Sequence, residues 1–316
     1  MGRRPRPRGP VHDLVLVVDK PAGPTSHDVV ARIRRVVGHS RVGHTGTLDP
    51  AATGVLVVCL GRATKLVRFL QAGWKTYAAR IQLGITTDSQ DTTGLELARV
   101  DASHLDEHTV CEALSAFQGT FEQVPPMVSA VKVGGERLHT IARRGETVER
   151  TPRQVEVSSL VLDGFVPGPV AEVSVLLTCS AGTYVRTIAH DVGAALGVGG
   201  CLASLRRIGN GPFTADEAVT LDALEAASPE DVLAWGMDAA TAVRRTLDVV
   251  EVTDDEVARR LSQGGSIPAV GHDGPVALVR PAAGSRGEQL LAIVADDAAG
   301  TRARPELVWT RPEELR

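Results

Sequence analysis

Residues 43–54 read GHTGTLDPAATG, and the six that follow, Val55-Leu56-Val57-Val58-Cys59-Leu60, are all apolar. This junction constrains the fold more than any other stretch of the chain. A short apolar run bounded by glycines reads as a buried strand, since a helix needs a longer segment. Three glycines and a proline break up the loop before it. One carboxylate, Asp49, stands in that loop between Leu48 and Pro50. Such an acid is either a turn residue, as Asp in Gly/Pro-rich loops commonly is, or a reactive group held rigidly at a strand end.

The surrounding pattern predicts an α+β protein. A short strand over 14–18 is closed by Asp19-Lys20-Pro21-Ala22-Gly23-Pro24. Ser26 is placed to cap a helix with an apolar face of Val29, Val30, Ile33, Val36 and Val37, and a basic face of Arg32, Arg34 and Arg35. After the buried strand come a short helix through Leu70, an alternating strand over 74–83 and a polar loop, GITTDSQDTTG. A helix near 105–117 leads to VPPMVSAVKVGGERLHTIARRG, where Val-Gly-Gly signals a hairpin and the basic tail an exposed helix. Two β-rich runs, 153–165 and 170–179, precede a helix over about 183–196. Residues 221–248 are helical and acidic. Beyond 249, a helix over 254–261 and short strands between Gly and Pro indicate a small β-rich domain. There is no internal repeat. Strands and helices mix without a βαβ rhythm, which predicts a mixed, largely antiparallel central sheet flanked by helices and loops.

The net charge of −4 hides an asymmetry. Residues 1–80 carry 14 Lys and Arg against 4 Asp and Glu, and the rest of the 316-residue chain carries 20 against 34. A basic face on an acidic body suits a polyanion. The alternative is a solvated tail, because Arg3, Arg4, Arg6 and Arg8 lie in a Pro/Gly-rich arm over 1–12 that reads as disordered. No apolar run reaches the roughly 18–20 residues of a membrane span, and MGRRPRPRGP has no apolar signal core behind it. A cytoplasmic protein is expected. Cys59, Cys111, Cys179 and Cys201 are far apart without a CxxC pair, so neither a metal site nor a disulfide framework is predicted. The glycine-rich pieces contain no GKS, GKT or GxGxxG, and no nucleotide cofactor is expected.

Two further stretches bear on Asp49. Lys75-Thr76-Tyr77 heads a strand, and in CSAGTYVRTIAHDVG Tyr184 and Arg186 open a helix after a glycine. The chain has 2 tyrosines, and both are in these pieces. A carboxylate, two aromatic rings and an arginine make a usable site for a nucleoside, supplying carbon chemistry, stacking and charge control.

In the order KPAGPTSHDVV, RVGHTGTLDPAATGVLVVCLGRATK, KTYAARIQLGITTDSQDTTG, VPPMVSAVKVGGERLHTIARRG and CSAGTYVRTIAHDVGAALG…LRRIGNGPF, the chain resembles the TruB-type pseudouridine synthases of the bacterial, stand-alone kind over roughly residues 13–215. The resemblance implies the pseudouridine synthase fold and the isomerisation of uridine 55 in the T-loop of tRNA to pseudouridine. It also implies site roles. Asp49 matches the catalytic aspartate and Arg186 the arginine paired with it. Tyr77 matches the tyrosine that stacks on the base and assists proton removal from C5. Tyr184 lines the same pocket, and His44 fills the space of the flipped nucleotide. Lys20 and Leu205 match pocket-wall positions.

The implied organisation is a catalytic domain over 13–245, an RNA-clamping insertion over about 124–153 and a small PUA-like domain over 249–316. Arg41, Lys132, Arg143 and Arg144 are the candidate RNA contacts outside the pocket. The segment 132–153 sets six basic residues against three acids, which is also what an ordinary charged hairpin would show. Val128 and His139 stand where tyrosines are common in the family. The implied partner is the T-arm of tRNA, met by a monomer with no cofactor, metal, guide RNA, obligate protein partner or membrane.

The chemistry explains a single acid. Glycoside hydrolysis uses two carboxylates, one of them to activate or direct water. Pseudouridine formation breaks the N1–C1′ bond, turns the base and rejoins it through C5, so water must be kept out and one Asp can serve. The target base must leave the RNA stack, at a cost of a few kcal/mol. Three other readings stay open: a guide-RNA-dependent relative, a non-catalytic RNA-binding or RNA-folding protein, and a hydrolase.

Overall fold

The computed structural model describes residues 12–129, 131–142, 144–146, 148–281 and 287–315. The expected arm over 1–12 therefore lies, except for residue 12, outside the described residues. Strand β1 (Val15–Lys20) leads to helix α1 (Ser26–Val36), then to β2 (Val42–His44) and β3 (Thr53–Leu60), and β1 and β3 pair antiparallel from Val15↔Cys59 to Lys20↔Gly54. The apolar run is a strand covered on both faces. Leu56, Val58 and Leu60 pack with Val29, Val30 and Ile33 of α1, while Val55, Val57 and Cys59 pack with Ala63, Leu66 and Phe69. With water on neither side, every position must be apolar. A 3-10 turn (Gly61–Leu66) and helix α2 (Val67–Leu70) then lead to β4 (Lys75–Leu83).

Three local expectations change. β1 continues through Asp19 and Lys20 instead of closing before them, because the buried Lys20 ammonium finds carbonyl partners. Thr25, not Ser26, is the N-cap of α1, in a capping box with Asp28. Ser26 is the first helical residue, and its hydroxyl is used on the Asp49 loop instead. The basic face of α1 is partly consumed inside the chain: Arg34 Nη2 donates to the Val42 carbonyl at 2.8 Å and Arg32 pairs with Glu225 at 3.3 Å.

The segment 84–94 is more than a polar loop. It begins with β5 (Ile85–Thr87), which pairs with β6 (Glu96–Arg99). Helix α3 (Glu107–Ser115) and β7 (Gly119–Gln123) follow, then the short hairpin β8 (Lys132–Val133) and β9 (Glu136–Arg137), which turns through Gly134 and Gly135 and runs into α4 (Leu138–Ala142). Strands β10 (Arg153–Val166) and β11 (Ala171–Cys179), helix α5 (Val185–Ala195) and β12 (Gly200–Asn210) complete this half. In β4 and β11 alternate residues are buried, and those of the inner face pack with α3 and α5 in one core.

Two short strands, β13 (Phe213–Thr214) and β14 (Val219–Thr220), precede α6 (Leu221–Ala226), α7 (Pro229–Trp235) and α8 (Ala239–Arg244). The central sheet has 10 strands, in the order β14-β1-β3-β12-β4-β11-β10-β7, with β13 on β12 and β2 on β3. It is antiparallel except where β1 meets β14 and β3 meets β12. The β3–β12 contact is a seam of two residue pairs, Thr53↔Arg206 and Gly54↔Arg207. Gly54 has φ +99°, and a Cβ there would sit 2.1 Å from the Arg207 carbonyl, so glycine is required for the seam to close. A bidentate pair from Arg206 to Asp19, at 3.0 and 2.8 Å, ties β12 to β1 across it.

The rest of the chain forms a second sheet. Strand β15 (Asp248–Glu251), helix α9 (Asp255–Ser262), β16 (Ile267–Pro268), β17 (Val276–Arg280), β18 (Gln289–Asp296) and β19 (Arg302–Val308) give the strand order β15-β17-β18-β19-β16. Ala277, Val279, Leu290 and Ile293 of this sheet share one core with Val15, Val17, Val55 and Val57 of the central sheet. Arg62 reinforces the junction, pairing with Asp13 and Glu314 (both 2.8 Å) and lying 5.0 Å over the Trp309 ring. Among the described residues no helix is long and apolar enough to cross a membrane.

Candidate active site

The loop before β3 is held by its own carbonyls. Arg207 Nη2 and Nη1 donate to Gly46 O at 3.1 Å and Thr47 O at 3.5 Å. The Ser26 hydroxyl donates to Leu48 O at 3.1 Å and accepts the Leu48 N–H at 2.9 Å. Asp49 O accepts the Ala52 N–H at 3.1 Å, and Pro50 O accepts the Gly23 N–H at 2.8 Å. Lys20 Nζ donates to Pro50 O at 3.1 Å, Ala52 O at 2.6 Å and Pro21 O at 2.9 Å. Backbone polar groups of a buried loop must find partners, and here two buried cations and a serine supply them. The Asp49 carboxylate projects from this frame with its side chain 46% exposed.

Its ionic partner is Arg186, in the first turn of α5. Nε lies 3.0 Å from Asp49 Oδ2, and the arginine side chain is 5% exposed. Nη1 donates to Ser89 O at 3.0 Å and Nη2 to Val128 O at 2.8 Å, while Asp91 Oδ2 is 3.7 Å from Nη1. Four groups thus hold one guanidinium, and two of them are carboxylates. Asp91 is fixed in turn by Ser89 Oγ at 2.8 Å and the Thr93 N–H at 3.0 Å. Gln90 between them has φ +63°, a conformation non-glycine residues adopt at a cost, and its amide oxygen accepts from Thr187 Oγ1 at 2.9 Å. Tyr184 is placed by Gln123, which accepts the Tyr184 N–H at 2.7 Å and donates to its carbonyl at 3.1 Å.

A cavity of about 310 Å³ opens between these elements, within the range of small-ligand sites. Asp49, Tyr77, Tyr184, Arg186 and Leu205 line it, together with Lys75 and Arg207. Tyr77 is buried, and burial pushes its phenol above the usual tyrosine range, with the Arg207 cation acting against that rise. Burial pulls the Lys75 ammonium down to about 8, with Arg207 adding to the fall. Lys20 is likewise pulled down to about 8 by burial, opposed by Asp49. A second cleft of about 300 Å³ lies at the junction of the two sheets. Among its described charged groups, Asp13, Glu314 and Glu288 are paired with Arg62 and Arg244, Arg280 with Asp255, and Asp238 accepts the Thr241 N–H at 2.7 Å.

The structure brings Asp49, Tyr77, Tyr184, Arg186 and Leu205 together as the sequence suggests. Lys20 and His44 stand elsewhere. Lys20 has its ammonium on the loop carbonyls and does not line the cavity. His44 is on β2, where Nδ1 accepts the Gly46 N–H at 3.3 Å. Burial lowers its pKa, with Arg207 as the next cause. Arg41 is exposed. Arg144 is held by Glu136 and Glu146. Arg143 and the side chain of Lys132 lie outside the described residues.

Local patterns do not reveal Asp91, Arg207, Ser26, Gln123 or the carbonyls of Ser89 and Val128. The charge asymmetry of the first 80 residues also shrinks on folding. Of the Lys and Arg after residue 12, Lys20 and Lys75 are buried, and Arg32, Arg62, Arg68 and Arg80 pair with Glu225, Asp13 with Glu314, Glu306 and Glu172. Arg35, Arg41 and Lys65 remain exposed.

Comparison with known proteins supplies a family. Residues 34–185 match the TruB family pseudouridylate synthase N-terminal domain, and residues 186–251 the tRNA pseudouridylate synthase B C-terminal domain. The tRNA pseudouridine synthase B of Thermobifida fusca is 49% identical over 274 residues, covering 85% of this chain and 91% of its own. That of Symbiobacterium thermophilum is 52% identical over 214 residues, covering 68% and 72%. Among solved structures, a Cbf5-Nop10-Gar1 complex superposes with TM-score 0.72 at 25% identity, covering 95% of this chain and 86% of the matched one. An archaeal box H/ACA sRNP Nop10-Cbf5 complex superposes with TM-score 0.70 at 24% identity, covering 99% and 94%, and shares the fold.

Proposed function

The chain belongs to the TruB family of pseudouridylate synthases, and from that premise we propose that it converts uridine 55 in the T-loop of tRNA to pseudouridine without a guide RNA. The observation that carries this reading is the Asp49 carboxylate at a nucleoside-sized cavity, held at 3.0 Å by an arginine that is itself buried.

The target nucleotide flips out of the T-loop into the cavity, where Tyr77 and Tyr184 offer aromatic faces and Leu205 an apolar wall. Attack at C1′, addition to C6 and removal of the 2′ proton all require a carboxylate aimed at the nucleoside, and Arg186 aims it. The N1–C1′ bond breaks, the uracil turns within the cavity, and the C5–C1′ bond forms. C5 loses its proton with help from the Tyr77 hydroxyl, N1 regains one, and no atom is gained or lost overall. Tyr77 is buried, which suits a site that must keep water from the broken bond. We assign this chemistry to residues 13–245. The segment 124–153 is read as the clamp on the T-arm, since it supplies both the Val128 carbonyl on Arg186 and the basic hairpin.

Incubation of the purified chain with an unmodified tRNA transcript, followed by chemical derivatisation of pseudouridine, tests the proposal. The expected outcome is one modified position, in the T-loop, with no other macromolecule added. Binding without conversion would make this a tRNA-folding protein, and conversion only on adding a guide RNA would rule out stand-alone action.

A further inference from the structure

The candidate reactive groups lie on opposite sides of the seam in the sheet. Asp49 precedes β3, whereas Tyr77 is on β4 and Arg186 on α5. β12 lies between β3 and β4, and it meets β3 through two residue pairs against nine with β4. Backbone pairing alone therefore fixes the distance between the two sides weakly.

Arg207 occupies the crossing point. It is paired with Gly54 of β3 on one side and with Tyr77 of β4 on the other. Directly opposite residues on neighbouring antiparallel strands share a face of the sheet, and Arg207 and Tyr77 line the same cavity. The donors of Arg207 cross the seam, Nε to Val55 O at 2.7 Å and Nη2 to Gly46 O at 3.1 Å. After the Arg207↔Tyr77 pair the register skips to Gly209↔Thr76, and such bulges re-aim side chains. The arginine is 2% exposed. Each hydrogen bond described for it goes to a carbonyl, and none to a carboxylate. A buried cation without an acid is costly to keep, so its charge and its fork both call for a use.

We propose that Arg207 is a positioning residue that ties the Asp49 loop across the seam to the point of the sheet opposite Tyr77, so that the two groups keep a fixed separation while the base turns between them. The inference rests on the functional reading above. The Arg207 cation favours the ionised phenol against burial, which suits a group taking a proton from C5.

The test uses the full-length chain. In a Tyr184→Phe background Tyr77 is the one remaining tyrosine, so ultraviolet titration of tyrosinate reads its phenol directly. Adding Arg207→Gln should move that ionisation to higher pH. In the otherwise unchanged chain, Arg207→Gln should slow single-turnover conversion of a T-arm stem-loop about 100-fold, the scale of a misplaced reacting group, with Kd for the stem-loop nearly unchanged. Arg207→Lys keeps the charge but loses the fork, so the phenol should titrate near its parental pH while conversion still slows. A folded Arg207→Gln chain, verified by circular dichroism, that converts at the parental rate overturns the proposal. If that variant does not fold, parental conversion by Arg207→Lys overturns it equally. Asp49→Asn and Tyr77→Phe run alongside. Should either convert normally, the functional reading itself fails; should both be inert while the Arg207 variants are fully active, only the present inference falls.

Discussion

The Asp49 loop and the 124–153 insertion both touch Arg186, yet they are built in opposite ways. Between residues 46 and 52, every carbonyl but that of Ala51 has a described partner, and the partners are buried side chains or backbone. Among the described residues the insertion reaches Arg186 through one carbonyl, that of Val128. It packs Leu138 and Ile141 inward, holds the Pro125 carbonyl with Arg150 at 3.0 Å, and carries exposed pairs such as Arg144 with Glu136 and Glu146. Exposed pairs contribute about 0–1 kcal/mol each, whereas stripping a buried carbonyl of its partner costs about 1–3 kcal/mol. The difference teaches a division of labour for the proposed function: the loop proposed to do the chemistry is over-determined, and the insertion proposed to meet RNA is held by weaker contacts.

The sharpest way to break this comparison is Asp49→Asn. It should lower single-turnover conversion by at least about a thousandfold, the upper range for loss of a positioned acid or base, while Kd for tRNA stays within several-fold because phosphate contacts provide the grip. Turnover within tenfold of the parent would show that the rigid loop does not carry the chemistry. Tyr77→Phe comes next. Stacking survives and the hydroxyl is lost, so tight binding with roughly 100-fold slower conversion is expected, measured by the same assay.

Lys20→Met probes the frame itself through pH. The folded ammonium has its pKa at about 8, against 10.5 for an unperturbed lysine. Between those values the unfolded chain binds the extra proton, so this residue makes folding stability rise with pH over that window. Chemical denaturation at both ends of the window should show that rise, on the order of 1–3 kcal/mol, in the parent and its reduction in Lys20→Met. Equal pH slopes would mean that the loop does not depend on this buried cation. The smallest effect is expected on the adaptable side. Arg144→Ala should leave stability nearly unchanged and T-arm affinity changed by no more than about threefold, since Glu136 and Glu146 already engage its charge. A large fall in affinity with a shallower salt dependence would show that the guanidinium leaves those acids for a phosphate.

The same contrast explains what could be read from the sequence. Asp49, Tyr77, Tyr184 and Arg186 announce themselves through local context, namely a Gly/Pro loop before an apolar run, a strand head and a helix start. The apolar run itself predicted a buried strand because both of its faces are covered. Arg207 gave no such signal, since its role arises from register: it is opposite Tyr77 only once β12 and β4 pair. Asp91 was hidden in a segment whose polarity suggests a loop, although that segment's start is strand β5. Ser89 and Val128 act through carbonyls, which carry no residue identity at all. Lys20 was matched to the pocket wall, yet its ammonium serves the loop from outside the cavity lining. The charge excess of the first 80 residues overstated the free positive surface because ion pairing is a tertiary event.

The core shared by Val15, Val17, Val55 and Val57 with Ala277, Val279, Leu290 and Ile293 has a consequence for how the molecule melts. Residues 252–316 lie beyond the matched family domains, yet their sheet covers one side of the very strand that follows the Asp49 loop. The two sheets should therefore melt as one calorimetric unit. Heating should produce a single endotherm instead of two, and a chain cut after residue 251 would leave β1 and β3 with an oily flank open to water, prone to self-association before it could meet any RNA.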